Sequence, residues 1–475
     1  MYKRLTRGRG EFFVSNIEKA LTSAEILDIV ANKSGGVHFC GVGGVSMSSL
    51  FCLSRYFGAE CSGSDREEGD MVRALMEIGE NVYVGEKESL PEKTKLLVYS
   101  HAIDSSHSER IYARANGIFE VSRAQYLGAL MQCYDKKIGV SGSHGKSTVT
   151  AMISHVLEKN AFNPTTLSGA ELSGSSLSFR IGTLDYLVYE ACEYKDSFLS
   201  FSPSLSVFLN MELDHVDYFT DKDRLRKSFL SAIELADKAI INIDDEGLFS
   251  LLGECGETEI ITYGRGEGAD YRYEIISDEA YKMRFRMFFK EKELGEVALN
   301  MLGSFNISNA AAAIAAAHQL GIDFCECAKA FSEFSPIGRR LERIGKYKGR
   351  QIFYDYAHHP TEIRASIEAV RSFSKGGVTV IFRPHTYSRT KGLWKDFLSA
   401  LSCADSVILL EISAVREEAI QGITSQRLAE ECGAVFVKDK REIAKNLDET
   451  DGAIILMGAA DVTDVKKFLL CEKKC

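Results

Sequence analysis

Short apolar runs alternate with helical patterns of apolar residues along most of the chain. The runs Val37–Cys40 and Leu96–Tyr99 are each followed by a stretch in which apolar residues recur every three or four positions. This alternation of strand-like and helix-like patterns predicts βαβ units and therefore a parallel sheet. We expect the first block of the chain, up to about Tyr134, to be an α/β domain.

A second block opens with the apolar run Ile138–Val140 and closes with the alanine-rich helical pattern around Asn309–His318. Apolar and arginine residues alternate strictly over Met283–Met287, which is typical of a half-buried antiparallel strand. Because the other apolar runs alternate with helical patterns, the block is predicted to contain a mixed sheet. Its further predicted strands are Tyr186–Tyr189, Leu205–Leu209 and Ala239–Ile243.

Pro336, one of only six prolines, separates a helical pattern from a third block of alternating strands and helices. The predicted strands there are Ile352–Tyr354, Val378–Phe382, Val407–Leu410, Val435–Val437 and Ile454–Met457. The predicted fold class is therefore α/β with three domains: Rossmann-like N-terminal and C-terminal domains and a central domain with a mixed sheet. Their predicted bounds are residues 1–134, with 1–34 as an N-terminal extension, 135–335 and 336–475.

Composition narrows the class of protein without identifying it. The chain has 475 residues, of which 45% are hydrophobic and 26% charged, and both values are typical of globular proteins. The formal net charge of −10 argues against a protein that coats nucleic acid. No apolar run is long enough to cross a membrane, and the basic N-terminus lacks the apolar core of a secretory signal. The twelve cysteines are scattered without a Cys-x-x-Cys pair, which favours reduced thiols and a cytoplasmic location over a disulfide framework or zinc site.

The clearest chemical signal is a glycine-bearing turn between a strand and an amphipathic helix. A turn of this kind presents backbone N–H groups and the positive end of the helix to phosphate. Lys146 would neutralise the terminal phosphates and the Ser147 hydroxyl would bind Mg²⁺. The alternative is a plain glycine turn with a surface lysine. The predicted phosphate-binding residues are Gly142, Ser143, His144, Gly145, Lys146, Ser147 and Thr148.

Further candidate metal ligands follow the next predicted strands. Glu190 ends the apolar run Tyr186–Tyr189, and His215 lies shortly after Leu205–Leu209. Side chains at the carboxyl ends of strands face the crevice in which α/β sheets bind ligands. A carboxylate suits Mg²⁺ well, whereas imidazole is a less usual ligand for this ion. The alternatives are solvated charge at a strand end for Glu190 and Glu193, and a helix-capping role for His215.

A second glycine-rich turn follows the first predicted strand. It resembles the dinucleotide fingerprint, except that Ser46 replaces the third glycine. Alone it fits NAD, a nucleotide sugar or merely a tight turn, so we predict a pyrophosphate-binding loop of unspecified ligand. Its candidate residues are Gly41, Gly43, Gly44, Ser46 and the acidic Asp65.

Two polar clusters follow strands of the third block. One contains Tyr356, His358 and His359, and the other contains His385 and Arg389. The histidine pair could bind a transition metal, but no acidic or cysteine partner repeats at ligand spacing. Pro360 and Glu362 also match ordinary helix-start chemistry. The functional hypothesis is a pocket for a small zwitterion, with arginine for its carboxylate.

With these residues in place, the chain resembles the Mur ligase family over about residues 37–465. Long motifs occur in the family's order, which makes the resemblance specific. They are VHFCGVGGVSMSSL, GSD, GSHGKST, YEACEYKDSFLSFSP, NMELDHVDYF, GSFNISNAAAAIA, GRRLE, DYAHHPTEI, PHTYSRT and MGAADV. The resemblance implies a UDP-sugar domain, a central ATPase domain and a third domain that brings the amino acid and closes over ATP.

The resemblance also implies residue roles. Lys146 would contact phosphate, Ser147 and Glu190 would hold a first magnesium ion, and His215 would assist a second metal ion. Asn306 and Asn309 would lie on the base side of ATP, Arg340 would reach the γ-phosphate and Asp355 the ribose. The implied amino-acid pocket consists of Tyr356, His358, His385 and Arg389. The chain departs from the family's usual residues at Ser143, Leu209, Thr386 and Ala460.

The implied reaction is amide-bond formation between L-alanine and the lactyl carboxylate of UDP-N-acetylmuramate, driven by ATP with Mg²⁺ through an acyl phosphate. The implied enzyme takes part in peptidoglycan precursor synthesis and is a monomer or weak dimer. Three alternatives remain: a recycling ligase that adds a murein tripeptide, a P-loop regulator that does not ligate, and an NAD-dependent dehydrogenase. For Arg340, the alternative role is a surface ion pair with Glu342, worth less than about 1 kcal/mol.

Overall fold

The computed structural model describes residues 21–31, 35–172, 175, 177–216, 218–414, 417–447, 452–459 and 462–470. Within these ranges the strands form three sheets, one in each predicted block. Parallel strands dominate all three sheets, so the prediction of a three-part α/β fold is confirmed. The basic N-terminus and Ala460 lie outside the described residues.

The first sheet has five parallel strands in the order β3-β2-β1-β4-β5. Helix α1 packs on α5 through the buried Ile26 and Val30, so part of the predicted N-terminal extension belongs to this domain's core. The strands are β1 Gly36–Cys40, β2 Cys61–Asp65, β3 Asn81–Val84, β4 Thr94–Tyr99 and β5 Phe119–Ser122. The helices are α1 Ser23–Ala31, α2 Val45–Tyr56, α3 Asp70–Glu77, α4 Ser108–Ala115 and α5 Arg123–Leu130.

A polar network centred on the buried Glu109 connects three strands of this sheet to α4. The Glu109 carboxylate accepts hydrogen bonds from Ser64 Oγ at 2.6 Å and Tyr83 Oη at 2.7 Å, and lies 3.3 Å from His38 Nε2. Burial opposes the charge on Glu109, but His38 and the two hydroxyl groups outweigh it and lower the pKa of this carboxyl to about 2. The first domain therefore carries a buried carboxylate that stays ionised.

The second sheet is mixed and has ten strands in the order β15-β14-β13-β12-β11-β10-β6-β9-β7-β8. The predicted antiparallel strand over Met283–Met287 is confirmed, and it forms a meander with its two neighbours. The strands are β6 Lys136–Ser141, β7 Thr165–Leu167, β8 Phe179–Arg180, β9 Tyr186–Glu190, β10 Leu205–Phe208, β11 Lys238–Asn242, β12 Glu259–Gly264, β13 Tyr271–Ser277, β14 Met283–Phe289 and β15 Lys292–Leu299. The helices are α6 Lys146–Lys159, α7 Lys222–Glu234, α8 Glu246–Phe249, α9 Phe305–Gln319 and α10 Phe324–Ser332.

The alanine-rich helix α9 packs closely against α6 over this sheet. All eight residues from Ala310 to Ala317 are buried, and seven of them are alanine. Small side chains let two helix backbones approach closely without leaving voids. As a result, α9 lies directly behind the turn that connects β6 to α6.

The third sheet has six strands in the order β16-β17-β21-β18-β19-β20, and only β16 runs antiparallel to its neighbour. The strands are β16 Glu342–Tyr347, β17 Arg350–Asp355, β18 Gly377–Phe382, β19 Ser406–Leu409, β20 Val435–Phe436 and β21 Gly452–Met457. The helices are α11 Pro360–Phe373, α12 Tyr387–Gly392, α13 Trp394–Leu401, α14 Ser425–Cys432 and α15 Thr463–Leu470. The predicted polar clusters follow β17 and β18, at the same edge of the sheet.

Candidate functional site

The turn between β6 and α6 has the backbone that a phosphate loop requires. Gly142 has a φ of +143° and Gly145 a φ of +85°, a region that favours glycine. A Cβ atom on Gly145 would lie 2.8 Å from Asn309 Oδ1 on α9. Both the backbone conformation and the close helix therefore require glycine at position 145.

The segment after β10 holds the phosphate loop in place. Ser143 Oγ donates to the carbonyl of Glu212 and accepts from its N–H, both at 2.8 Å. The His144 N–H donates to Asn210 Oδ1 at 2.8 Å. Serine thus supplies the hydroxyl that the family's usual threonine would supply at position 143. Sequence reasoning quoted the motif containing Asn210 and Glu212 but gave neither residue a role.

Lys146 is tied to a buried carboxylate. Its Nζ donates to Glu193 Oε2 at 3.0 Å, to the Ser143 carbonyl at 3.2 Å and to the Gly142 carbonyl. Burial opposes the charge, but Glu193 outweighs it and raises the pKa of Lys146. Glu193 is only 2% exposed, so the interpretation of this residue as solvated charge is wrong.

Glu190 and Lys146 both line a cavity of about 350 Å³ between the first and second domains. The Glu190 carboxylate accepts from Ser168 Oγ at 3.1 Å and from the Gly169 N–H. We call this space the Ser46 cavity, because Ser46 of the first-domain glycine loop also lines it. Arg123 adds a cationic side chain that sequence reasoning missed.

His215 approaches the same carboxylate as Lys146. Its Nε2 lies 3.8 Å from Glu193 Oε1, and its ring packs on Tyr194 with a centroid distance of 4.5 Å. Burial lowers the pKa of His215. Helix α7 begins later and is capped by Asp221, so the helix-capping interpretation of His215 is wrong.

The first-domain glycine loop is organised by its acidic partner. The Gly43 N–H donates to Asp65 Oδ2 at 2.8 Å, and Gly44 precedes the first turn of α2. Gly41 has a φ of +83°. The predicted loop residues therefore lie together at the carboxyl ends of β1 and β2, where α/β sheets bind ligands.

Arg340 reaches across from the third domain to the phosphate loop. Its Nη2 lies 3.4 Å from Ser147 Oγ. The flanking residues Arg339 and Leu341 have φ values of +60° and +49°, a conformation that costs on the order of 1–3 kcal/mol per residue. Glu342 accepts from the Arg339 N–H instead of pairing with the Arg340 guanidinium, so the proposed surface pair of Arg340 and Glu342 is wrong.

Asp355 fixes the segment that carries Arg340. Its Oδ2 accepts from the Leu341 N–H at 2.7 Å and its Oδ1 from the Ala357 N–H at 2.6 Å. Burial raises the pKa of Asp355 to about 6, although Arg340 opposes the shift. The Asp355 side chain thus holds two backbone N–H groups and also lines the cavity described next.

A cavity of about 580 Å³ lies between the second and third domains, and we call it the P-loop cavity. Asn306 Nδ2 donates to the Leu302 carbonyl at 2.8 Å, and Asn309 Nδ2 donates to Asn306 Oδ1 at 3.0 Å. The cavity brings together most residues for which sequence reasoning predicted nucleotide binding. Among those that line it are His144, Gly145, Thr148, Asn306, Asn309, Arg340 and Asp355.

His144 joins the phosphate loop to the third domain. Its Nε2 lies 2.8 Å from Glu212 Oε2, and its Nδ1 lies 3.2 Å from Glu362 Oε1. Burial opposes the imidazolium, but Glu362 and Glu212 outweigh it and raise the pKa of His144 to about 9. The charged ring therefore bridges carboxylates from two domains.

The predicted zwitterion pocket residues also converge. The ring centroids of Tyr356 and His358 are 5.3 Å apart, and those of His358 and His385 are 6.2 Å apart. Burial lowers the pKa of both histidines to about 4, with Arg389 adding to the shift at each. Both rings are therefore neutral near pH 7.

Arg389 in this pocket already has a carboxylate partner. Its Nε and Nη2 donate to the two Asp214 oxygens at 2.9 and 3.1 Å, and its Nη1 lies 3.2 Å from His385 Nδ1. Burial opposes the charge on Asp214, but Arg389 outweighs it and lowers the pKa of this carboxyl. Sequence reasoning missed Asp214 because it lies in the second domain, 175 residues away.

The start of α11 matches the alternative interpretation of its sequence. His359 caps the helix, Pro360 is its first residue, and Glu362 completes a capping box. Ordinary helix-start chemistry is therefore confirmed at this position. Thr386, which caps α12, has a φ of +63° and supplies its Oγ1 to the Arg389 N–H at 3.4 Å.

Comparison with known families accounts for this arrangement. A model described as "Mur ligase family, catalytic domain" matches residues 36–134, "Mur ligase middle domain" matches 140–317, and "Mur ligase, glutamate ligase domain" matches 339–460. The chain belongs to the Mur ligase family. The resemblance that the sequence motifs carry is therefore confirmed.

Relatives that are named for a specific activity are similar over nearly the whole chain. The UDP-N-acetylmuramate–L-alanine ligase of Caldicellulosiruptor saccharolyticus is 37% identical over 442 residues, which cover 90% of this chain and 97% of that protein. The enzyme of the same name from Alkaliphilus metalliredigens is 35% identical and covers 92% of this chain and 97% of that protein.

Solved structures share the fold. The UDP-N-acetylmuramate-alanine ligase of Thermotoga maritima has a TM-score of 0.77 at 24% identity, covering 91% of this chain and 98% of that one. A murein peptide ligase from Psychrobacter arcticus has a TM-score of 0.70 at 23% identity, covering 92% and 98%. Both support the three-domain architecture. None of the helices described here is both long and apolar enough to cross a bilayer.

Proposed function

We propose that this protein is an ATP-dependent ligase that joins L-alanine to the lactyl carboxylate of UDP-N-acetylmuramate in peptidoglycan precursor synthesis. Its full-length relatives carry this activity in their names. The observation that carries the proposal is the 3.4 Å contact between Arg340 Nη2 and Ser147 Oγ. That contact puts a third-domain cation at the phosphate loop, where phosphoryl transfer needs charge neutralisation.

ATP would occupy the P-loop cavity. Its phosphates would face the N–H groups of residues 142–148, with Lys146 and Arg340 as cations and Asn306, Asn309 and Asp355 on the nucleoside side. The donor set fits Mg²⁺, because Ser147 and Glu190 offer oxygen atoms, and His215 would assist a second metal ion. Magnesium would supply further neutralisation of phosphate charge.

The UDP-sugar would bind the first-domain loop formed by Gly41, Gly43, Gly44, Ser46 and Asp65. The Ser46 cavity supports this placement, because Ser46, Lys146 and Glu190 all line it. A lactyl carboxylate there would lie beside the cations of the phosphate loop. Its oxygen would attack the γ-phosphorus in line, which forms an acyl phosphate and releases ADP.

The amine of L-alanine would then attack the acyl carbon, and inorganic phosphate would leave the tetrahedral intermediate. Lys146 would stabilise the oxyanion. Tyr356, His358, His385 and Arg389 would form the alanine pocket, with Arg389 shared between Asp214 and the substrate carboxylate. The neutral rings of His215 and His358 are the candidate acceptors for the amine proton.

We also infer a cytoplasmic location and a monomer or weak dimer. Each cysteine that the structure describes is a free thiol, which is typical of a reducing compartment. ATP and a nucleotide-linked sugar are substrates of the same compartment. Light scattering of the purified chain coupled to size-exclusion chromatography would measure its oligomeric state.

Phosphate release is the test of the proposed reaction. Purified protein with ATP, Mg²⁺ and UDP-N-acetylmuramate should release phosphate only when L-alanine is added, and mass spectrometry should detect the alanyl product. Turnover with a murein tripeptide but not with alanine would assign the protein as a recycling ligase. ATP binding without turnover on either substrate would favour a nucleotide-binding regulator.

A further inference from the structure

Two imidazoles and one carboxylate meet where the phosphate loop contacts the third domain. His144 comes from the loop, Glu212 from the segment after β10, and His359 from the start of α11. His144 Nε2 lies 2.8 Å from Glu212 Oε2, and His359 Nδ1 lies 3.8 Å from the same oxygen. One nitrogen or oxygen atom of each residue lies within 4.8 Å of the other two.

These distances match the spacing of ligands around a transition metal. Zinc binds imidazole nitrogen at about 2.0–2.1 Å in tetrahedral geometry, which puts neighbouring ligand atoms about 3.3 Å apart. The observed separations of 2.8 and 3.8 Å lie on either side of that value. Small side-chain rotations would therefore complete the ligand geometry once Zn²⁺ has displaced the proton that His144 Nε2 shares with Glu212.

The surroundings of the cluster also suit a cation. His359 is 3% exposed, and the nitrogen that lies near Glu212 is Nδ1, while Nε2, which has no hydrogen-bond partner among the residues that the structure describes, would carry the ring proton. Its Nδ1 accepts from the Thr361 N–H at 3.4 Å, a long contact that leaves the lone pair weakly engaged. Glu362 Oε1 lies 3.2 Å from His144 Nδ1 and would orient this ring as a ligand, as carboxylates do at zinc sites.

We propose that His144, Glu212 and His359 form a transition-metal site that binds Zn²⁺ when the third domain lies against the phosphate loop. Nitrogen ligands distinguish this site from the oxygen-rich Mg²⁺ set at Ser147 and Glu190. Because the ligands come from two domains, the ion cross-links them. His144 and Glu212 also line the P-loop cavity, so Zn²⁺ holds that cavity shut and acts as an inhibitor.

Metal binding by the full chain, freed of metal with a chelator and without nucleotide, tests the site. Competition with a chromophoric chelator should show one equivalent of Zn²⁺ bound in the micromolar range. Glu212→Gln and His359→Gln should each weaken binding by at least about tenfold. Only His359 caps a helix, so Glu212→Gln keeps the test valid if the other variant is unstable.

A second cluster provides the matched control. Cys40 Sγ lies 3.7 Å from His107 Nδ1 in the first domain, close to Glu109. His107→Gln should leave the Zn²⁺ affinity unchanged. Cobalt in place of zinc should give the intense visible bands of tetrahedral coordination in the wild type and lose them in Glu212→Gln.

Several outcomes would overturn the proposal. These are the absence of binding in the micromolar range, binding that survives either ligand substitution in a folded variant, and loss of binding in His107→Gln. Zinc should also raise the thermal unfolding midpoint of the wild type by mass action but not that of Glu212→Gln. These measurements require no substrate, so they stand apart from the test of the ligase reaction.

Discussion

Lys146 and Glu193 form a buried ion pair, with 3.0 Å between Nζ and Oε2, at the point where ATP phosphates would bind. A lysine held in this way must exchange one anion for another when nucleotide arrives. Glu193 also lies 3.8 Å from His215, so the exchange would leave its carboxylate facing a candidate metal ligand. The ion pair thus couples nucleotide binding to His215, which would assist the second metal ion.

We expect Glu193→Gln to tighten ATP binding, because the variant removes the anion that competes with phosphate for Lys146. A gain of about tenfold in affinity corresponds to about 1.4 kcal/mol. Isothermal titration with a non-hydrolysable ATP analogue and Mg²⁺ would measure it. Glu190→Gln is the matched control, and it should weaken binding because it removes a proposed magnesium ligand. Weaker binding in both variants would contradict competition by Glu193.

Arg340→Ala should lose at least about a hundredfold in kcat, because cations at the transferred phosphate are worth on the order of a thousandfold or more. A contact made only in the transition state lowers kcat and kcat/KM together. Steady-state kinetics over a range of ATP concentrations would separate the two parameters. A rate near that of the wild type would show that Arg340 is dispensable and that the domain-closing mechanism lacks its main residue.

Asp355→Asn should mainly raise the KM for ATP through the lost ribose contact, but a smaller loss in kcat should accompany it. An asparagine side chain has only one acceptor oxygen, whereas Asp355 accepts from both Leu341 and Ala357. The segment that presents Arg340 would therefore loosen. A rise in KM with unchanged kcat would show that the two hydrogen bonds from the backbone to Asp355 do not affect catalysis.

Acid should destabilise the first domain through Glu109. Its pKa is lowered from 4.5 to about 2, so its stabilising contribution is complete above the unfolded pKa and is lost as pH falls from about 4.5 to 2. The shift corresponds to about 3 kcal/mol. Calorimetry should show a shallower fall of the unfolding midpoint with acid in Glu109→Gln than in the wild type. The exposed Glu77→Gln should keep the wild-type slope, and equal slopes for all three proteins would contradict the prediction.

Gly145→Ala should abolish ATP binding. A Cβ atom there would lie 2.8 Å from Asn309 Oδ1, and the φ of +85° is strained for alanine. The control is Gly253→Ala, because a Cβ at that position meets nothing within 4 Å. Titration with ATP would compare the nucleotide affinities of the two variants. Wild-type affinity in Gly145→Ala would show that the loop tolerates a side chain.

The sequence predicted those parts of the molecule that local patterns encode. Apolar runs located β1 and β4 of the first sheet, β6, β9, β10 and β11 of the second, and β17 to β21 of the third, and the turn around Gly145 located the phosphate loop, because each depends on neighbouring residues. The strands β2, β3 and β5 of the first sheet were not predicted. The short strands Thr165–Leu167 and Phe179–Arg180, at one end of the second sheet, were not predicted, since runs of two or three residues carry no period.

Partners that are distant in sequence were the main omission. Asp214 binds Arg389 and Glu193 binds Lys146, yet no spacing rule connects either pair. The transition-metal site that the sequence analysis considered at His358 and His359 shows the same limit of reasoning from sequence spacing. Sequence reasoning found no acidic residue at metal-ligand spacing from His358 and His359, but the fold brings Glu212 from another domain to His359. The burial of Glu193 was missed in the same way, because its position after a strand also fitted a solvated charge.

The contacts of Arg389 with Asp214 and of His144 with Glu362 hold the third domain against the second. We expect ATP to enter the P-loop cavity only after these contacts have broken. Its observed association rate should rise with concentration and reach a plateau equal to the opening rate, as expected when a minor open population binds first. An inhibitor that occupies the shut form would escape competition from the high cellular concentration of ATP.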